Sequence, residues 1–199
     1  MNNFQINADF SDYKNIFLEE NSVLNLISKN DEKFLFEKHI YDSLAIKLFF
    51  EKYKINKTKI LDIGCGGGFP CVPIAIEYPN IEITGIDSIR KKINAVHNIK
   101  NKLRLSNLNL VCDRAENLSE KFDIIVSRAV ADMSKILVYA LPLLKKDGYF
   151  IAYKSKKALV ELESAKVVLA KYNAKVLDII NYSLPLDESF ERNLVIITF

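Results

Sequence analysis

Apolar positions along the chain follow a helical spacing up to about residue 53 and a different pattern beyond it. Between residues 9 and 53 they recur three and four apart: Phe10, Tyr13 and Phe17, then more loosely Phe34, Ile40, Leu44 and Leu48. That spacing predicts helices. Further on, short runs rich in β-branched residues alternate with helical stretches. The runs fall at 59–63, 81–86, 108–112, 123–127 and 148–154. The clearest helix between them is 88–103, where Ile89, Ile93, Val96, Ile99 and Leu103 make one apolar stripe. Strands that alternate with helices need crossover connections, which predicts a mostly parallel sheet with helices on both faces. The end of the chain breaks the alternation. Runs at 176–180 and 193–199 are joined through Ser183-Leu-Pro-Leu-Asp with no helix between them, so they predict an antiparallel hairpin at one sheet edge. The expected fold is α/β with seven strands. A helical extension (1–54) precedes the sheet domain (55–199).

The first strand run ends in Ile60-Leu-Asp-Ile-Gly-Cys-Gly-Gly-Gly-Phe-Pro. In open α/β sheets ligands bind at the carboxyl ends of the strands. Glycines there permit positive φ and let a ligand approach the backbone N–H groups closely. The phosphate-binding pattern G-x-x-x-x-G-K-[ST] is absent. The dinucleotide pattern G-x-G-x-x-G fails, because Phe69 or Cys71 falls on its last glycine. The spacing D-x-G-x-G-x-G fits fully through Asp62, Gly64, Gly66 and Gly68, and it resembles the first motif of class I S-adenosylmethionine-dependent methyltransferases. Asp87, at the end of the second strand run, suits an acceptor for ribose hydroxyls and equally a cap for the helix predicted from Ser88. Residues 112–116, Cys-Asp-Arg-Ala-Glu, follow the third run, where such enzymes receive the adenine.

Bulk properties narrow the class. The chain has 199 residues, of which 49% are apolar, and a formal charge of +3. This suits one domain with an extension and permits nucleic-acid binding without requiring it. Three cysteines without a repeated spacing, and only two histidines, argue against a disulfide framework and a metal site and fit a reducing cytosol. No run approaches the ~20 apolar residues that span a bilayer. The first residues do not read as a signal peptide. The expected location is cytoplasmic.

The glycine loop continues into Phe69-Pro70-Cys71-Val72-Pro73-Ile74-Ala75, and the fourth strand run ends in Ser127-Arg128-Ala129. Upstream stand Asn25-Leu26-Ile27-Ser28 and His39-Ile40-Tyr41-Asp42-Ser43. In these segments the chain resembles the glucose-inhibited division protein B family, also called RsmG, from about Asn25 to the C-terminus. The resemblance implies a Rossmann-like class I methyltransferase that methylates guanine N7 in bacterial small-subunit (16S) ribosomal RNA. It implies S-adenosylmethionine as methyl donor, no metal, and ribosomal RNA or the small subunit as partner, with no DNA and no membrane. The donor-binding positions it carries over are Gly64, Phe69, Ala115, Glu116 and Arg128, beside Asp87 from the strand reading. The chain departs from the family pattern at Cys71, where glycine is usual. It departs also at Lys38-His39 for Arg-His, and at Tyr153-Lys154-Ser155 for Tyr-Lys-Gly.

Guanine N7 carries a lone pair and no proton, so positioning can supply most of the catalysis, and no catalytic acid, base or nucleophile is assigned. Amino-directed methyltransferases of similar fold carry Asn/Asp-Pro-Pro-aromatic where this chain reads Ser127-Arg128-Ala129-Val130. Arg128 suits the donor's carboxylate, a guanine O6 or a phosphate, or a structural ion pair. For RNA phosphates the favoured candidates are Lys154 and Lys156-Lys157; Arg90-Lys91-Lys92 and Arg192 follow. Alternative readings are a methyltransferase for another RNA, a small molecule or a protein, and an RNA-binding module without donor chemistry.

Overall fold

The computed structural model describes residues 4–55, 59–128, 132–187 and 190–199. Seven strands form one sheet: β1 (Lys59–Ile63), β2 (Glu82–Ile86), β3 (Leu108–Val111), β4 (Phe122–Arg128), β5 (Leu144–Lys154), β6 (Lys175–Leu184) and β7 (Phe190–Thr198). Their order is β3-β2-β1-β4-β5-β7-β6. The first five pair in parallel, and β7 is antiparallel to both β5 and β6. The expected mostly parallel sheet and edge hairpin are both present. The hairpin strands are longer than the apolar runs suggested, because polar Asn181, Glu191 and Arg192 pair in the ladder as well.

Period-two alternation splits the strands between two cores. Ile60, Ile124, Val126 and Ile196 face one side, together with the N-terminal helices. Leu61, Ile125, Ala152 and Val195 face the other. On the first side pack α5 (Cys71–Glu77) and α6 (Arg90–Leu103). On the second pack α7 (Met133–Ala140) and α8 (Ala158–Lys171). The chain switches sides between β1 and β4, so a crevice opens at the carboxyl ends of β1, β2 and β4, as a doubly wound sheet requires.

The N-terminal segment is broken into short helices. The first, α1 (Ser11–Leu24), ends at Asn25 in the left-handed region at φ 49°. Ser28 caps α2 (Lys29–Glu32) by accepting the Asp31 N–H. A seven-residue π-helix, Leu35–Tyr41, then runs into α3 (Asp42–Leu44) and α4 (Ile46–Tyr53). Phe10, Tyr13, Phe17, Leu35, Ile40 and Phe49 enter the same core as β1 and α5. Glu77 fastens the start of the chain. Its carboxylate accepts the backbone N–H groups of Asn7 and Ala8 and pairs with the buried Lys47.

Candidate active site

A cleft of about 550 Å³ opens at the switch point. Its floor is the turn after β1, where Gly64, Gly66 and Gly68 all take positive φ, 73°, 54° and 93°. The backbone does less direct binding than the sequence suggested. The Gly64 and Cys65 N–H groups donate to Ile86 O at 2.8 and 3.0 Å, and Gly68 N–H donates to Cys65 O at 2.8 Å. The amides mostly hold the turn itself, so its contribution is space. A Cβ on Gly66 would meet nothing nearer than Gly64 O at 3.8 Å. Gly68 serves packing instead, since a Cβ there would lie 2.7 Å from Val72 Cγ2 at the start of α5.

Two acids frame the turn. Asp87 accepts the Gly66 N–H at 3.0 Å through Oδ2 and the Ile89 N–H at 2.8 Å through Oδ1. It does not cap the helix. Ile89 takes an extended conformation and α6 starts only at Arg90, so the carboxylate makes an Asx-type turn ahead of it. Asp62 is wholly buried in β1. Its Oδ2 accepts the Cys71 N–H at 3.0 Å, and its Oδ1 has no hydrogen-bond partner among the described residues. Burial pushes its pKa up to about 7. A buried carboxylate oxygen without a donor is costly, and the raised pKa is the expression of that cost.

The remaining expected residues gather in the same cleft: Phe69, Asp87, Ala115, Glu116 and Arg128 all line it beside Gly64. Ala115 and Glu116 open a 3-10 turn, Ala115–Asn117, shaped by Asp113, which accepts the Arg114 N–H and the Asn117 side chain. Cys71 fits without a glycine because β2 is bare opposite it. A Cβ on Gly85 would lie 3.1 Å from the Cys71 thiol and 3.2 Å from that of Cys65. Ala129 and Val130 lie outside the described residues.

Arg128 makes the structural ion pair considered for it and also faces the cleft. It lines the cleft, and its side chain is only 11% exposed in an ion pair with the buried Asp42 at 3.0 Å. Nη1 also donates to Lys38 O at 3.2 Å, Nη2 meets His39 Nδ1 at 3.1 Å, and the guanidinium lies 5.0 Å over the Phe69 ring. Asp42 takes in addition both Nε and Nη2 of Arg192 at 3.0 Å and the Tyr182 hydroxyl at 2.6 Å. Burial alone would raise the Asp42 pKa, but the Arg192 and Arg128 charges prevail and hold it low. Sequence reasoning missed this network. Asp42 and His39 stood in the stretch that carried the resemblance, but nothing local tied them to Arg192, 150 residues further on.

Two RNA candidates are engaged inside the fold. Arg192 is committed to Asp42, and Lys154 is 11% exposed and paired with Glu161 at 2.6 Å. Each has a carboxylate partner inside the fold and presents little charge to solvent. Lys156 is 69% exposed, with Glu191 at 3.4 Å, and Lys157 is exposed beside it. Arg90, Lys91 and Arg114 are exposed on the same carboxyl edge, and Lys92 and Arg114 line the cleft. Among the described residues no three His, Cys, Asp or Glu side chains converge as metal ligands. Among the described residues no helix is long and apolar enough to cross a membrane.

Comparison with known proteins places the chain in a family. A family model described as rRNA small subunit methyltransferase G matches residues 6–194. The chain is 39% identical over 193 residues to the ribosomal RNA small subunit methyltransferase G of Staphylococcus saprophyticus, covering 94% of this chain and 80% of that relative. It is 34% identical over 203 residues to the protein of the same name from Bacillus licheniformis, covering 99% and 83%. Its fold superposes on a precorrin-6y C5,15-methyltransferase from Geobacter metallireducens with a TM-score of 0.56 at 17% identity, covering 89% and 91%.

Proposed function

This chain belongs to the rRNA small subunit methyltransferase G family, and we propose that it transfers a methyl group from S-adenosylmethionine to guanine N7 in small-subunit ribosomal RNA, acting in the cytoplasm on the RNA or the small ribosomal subunit. The observation that carries the donor half of this reading is the cleft floor. It pairs the open space above Gly66 with the carboxylate of Asp87, and both line the cleft beside Gly64. That combination fits a ligand end with a cationic amino group and no phosphate. When bound, the sulfonium supplies an electrophilic methyl group.

The chain's own residues do the positioning. Asp87 presents a carboxylate to the cleft, with a free lone pair on each oxygen beyond its backbone bonds, and Asp62 lies buried in β1 beneath the turn. Ala115 and Glu116 close the end after β3, where an adenine edge is read. Phe69 and Arg128 form the wall next to β4, and the target base enters on that side. N7 needs no proton removed, so the groups lining the cleft need only hold nucleophile and methyl in line and keep water away.

Incubation of small subunits with labelled donor, followed by nucleoside analysis and reductive cleavage at N7-methylguanine, tests the reading. Label recovered as N7-methylguanosine at one nucleotide is expected. Label in 5-methylcytosine or N6-methyladenine would sink the atom assignment, and label in protein alone would sink the RNA substrate.

A further inference from the structure

His39 is the one histidine in the cleft wall, and its environment fixes what it can do. It stands in the π-helix, whose wide turn brings three groups onto one guanidinium: Lys38 O, His39 Nδ1 and Asp42 Oδ2 all meet Arg128. Such wide turns recur at functional sites. The ring is wedged against Phe69, with centroids 5.0 Å apart. A guanidinium can only donate, so Nδ1 accepts and the ring proton sits on Nε2. Burial, reinforced by the Arg128 charge, lowers the imidazole pKa to about 4, which keeps the ring neutral. His39 is therefore a donor at Nε2 and has no free lone pair with which to act as a base. That N–H is buried and has no partner among the described residues.

The charges around it choose the acceptor. Asp42 lies between two guanidinium groups, so the buried cluster carries a net positive charge. Lys38 is already paired with Asp31 at 2.8 Å. A net positive cluster with a polarised N–H at its edge favours an anionic oxygen. Guanine O6 is neutral and gains less from the cluster's charge than an anionic oxygen does. The methionine end of the donor brings the one small anion in the reaction.

We propose that His39, locked by Arg128 as the Nε2–H tautomer, is a positioning residue that donates to the carboxylate of the methyl donor. The inference rests on the methyl-donor reading of the cleft. The two fail separately: if the wild-type protein does not bind S-adenosylhomocysteine at all, the cleft reading falls before His39 is at issue.

The test compares two ligands by calorimetry. S-adenosylhomocysteine has the carboxylate; methylthioadenosine shares the nucleoside and thioether but lacks the amino-acid end. His39→Asn keeps an acceptor near the Nδ1 position and removes the distal donor. It is expected to weaken S-adenosylhomocysteine at least tenfold and leave methylthioadenosine unchanged. His39→Gln, which returns an N–H near the Nε2 position, should recover part of the loss. Equal losses for both ligands would make His39 a structural residue, and no loss for either would remove it from the donor site; both outcomes overturn the proposal. Should the variants fail to fold, nitrogen NMR of the wild-type ring decides. The Nε2–H signal must shift with S-adenosylhomocysteine and not with methylthioadenosine, and an unmoved signal rejects the assignment.

Discussion

Asp87 Oδ2 accepts the Gly66 N–H at 3.0 Å, so the acid that ends β2 holds the turn that follows β1. Its other oxygen orders the entry to α6. One carboxylate thus shapes two walls of the cleft before any ligand arrives. Asp87→Ala should weaken S-adenosylhomocysteine binding by about 1–3 kcal/mol, the scale of a lost charge-assisted hydrogen bond. It should also lower the unfolding midpoint, because two backbone donors lose their acceptor. Calorimetry and thermal unfolding read the two effects. A variant with the first loss and not the second would show that the loop is held without Asp87.

The glycines of the loop should separate by substitution. At Gly66 an added Cβ meets open space, and the cost is that of a non-glycine residue at positive φ, about 1 kcal/mol. Gly66→Ala is therefore expected to fold and to lose donor affinity. At Gly68 the added carbon would collide with Val72, at 2.7 Å, with φ at 93°. Gly68→Ala should unfold at distinctly lower denaturant, since the collision adds to the strain and the start of α5 must move. Equal stability of the two variants would contradict this division.

Asp62 gives the unliganded protein a pH signature. Its folded pKa is raised to about 7 by burial, against an ordinary value near ~3.9. Between these two values the folded state keeps a proton that the unfolded chain releases. Stability from this group is therefore full below the lower value, falls as pH rises through the window, and is flat above about 7. The total is on the order of 4 kcal/mol for a shift of ~3 units. Asp62→Asn cannot titrate. The stability difference between wild type and Asp62→Asn should change across pH 4–7 and stay constant above. A constant difference throughout would mean that Asp62 is ionised in the folded state.

Asp42 should be the most costly single charge to remove. Asp42→Ala leaves the Arg192 guanidinium and the Tyr182 hydroxyl without this acceptor and takes the carboxylate partner from Arg128. Removing one partner of a buried charge cluster costs about 3–5 kcal/mol, read as a fall in the denaturant midpoint. Arg192→Met, which leaves Asp42 paired with Arg128, should cost less. The reverse order would make Arg192 the anchor of the network.

How far the chain could be read before folding depended on the range of the interactions. The strands and α6 were legible because β-branched runs and the stripe from Ile93 to Leu103 reflect burial set by near neighbours. The glycine turn was legible because positive φ leaves a signature in residue type. The helix boundaries were less so. The π-helix at Leu35–Tyr41 has no propensity signal and follows from Arg128 gathering three groups across the fold. Asp87 read as a cap because a carboxylate before a helix is ambiguous until the Ile89 conformation is known. Lys154 read as a phosphate contact because its partner Glu161 lies seven residues on, across a turn between strand and helix.

The RNA surface can be tested by salt. Phosphate contacts release counterions, so affinity falls with salt along a slope of roughly 0.7–0.9 per neutralised phosphate. Exposed cations at the carboxyl edge of the sheet include Lys156 and Lys157 after β5, Arg90 and Lys91 at the start of α6, and Arg114 after β3. Arg114 lines the cleft itself, and the others extend a basic path along the same sheet edge for a strand carrying the target base. Lys156→Ala with Lys157→Ala should lower the slope by about 1–2, and Arg90→Ala with Lys91→Ala by a similar amount, without changing S-adenosylhomocysteine affinity. Lys154→Ala should act differently. Its Nζ pairs with Glu161, so the variant should lose stability through α8 and keep the salt slope of the wild type. A slope that falls for Lys154→Ala and not for the Lys156 and Lys157 pair would move the RNA path from the outer edge of the cleft mouth to the inner end of β5.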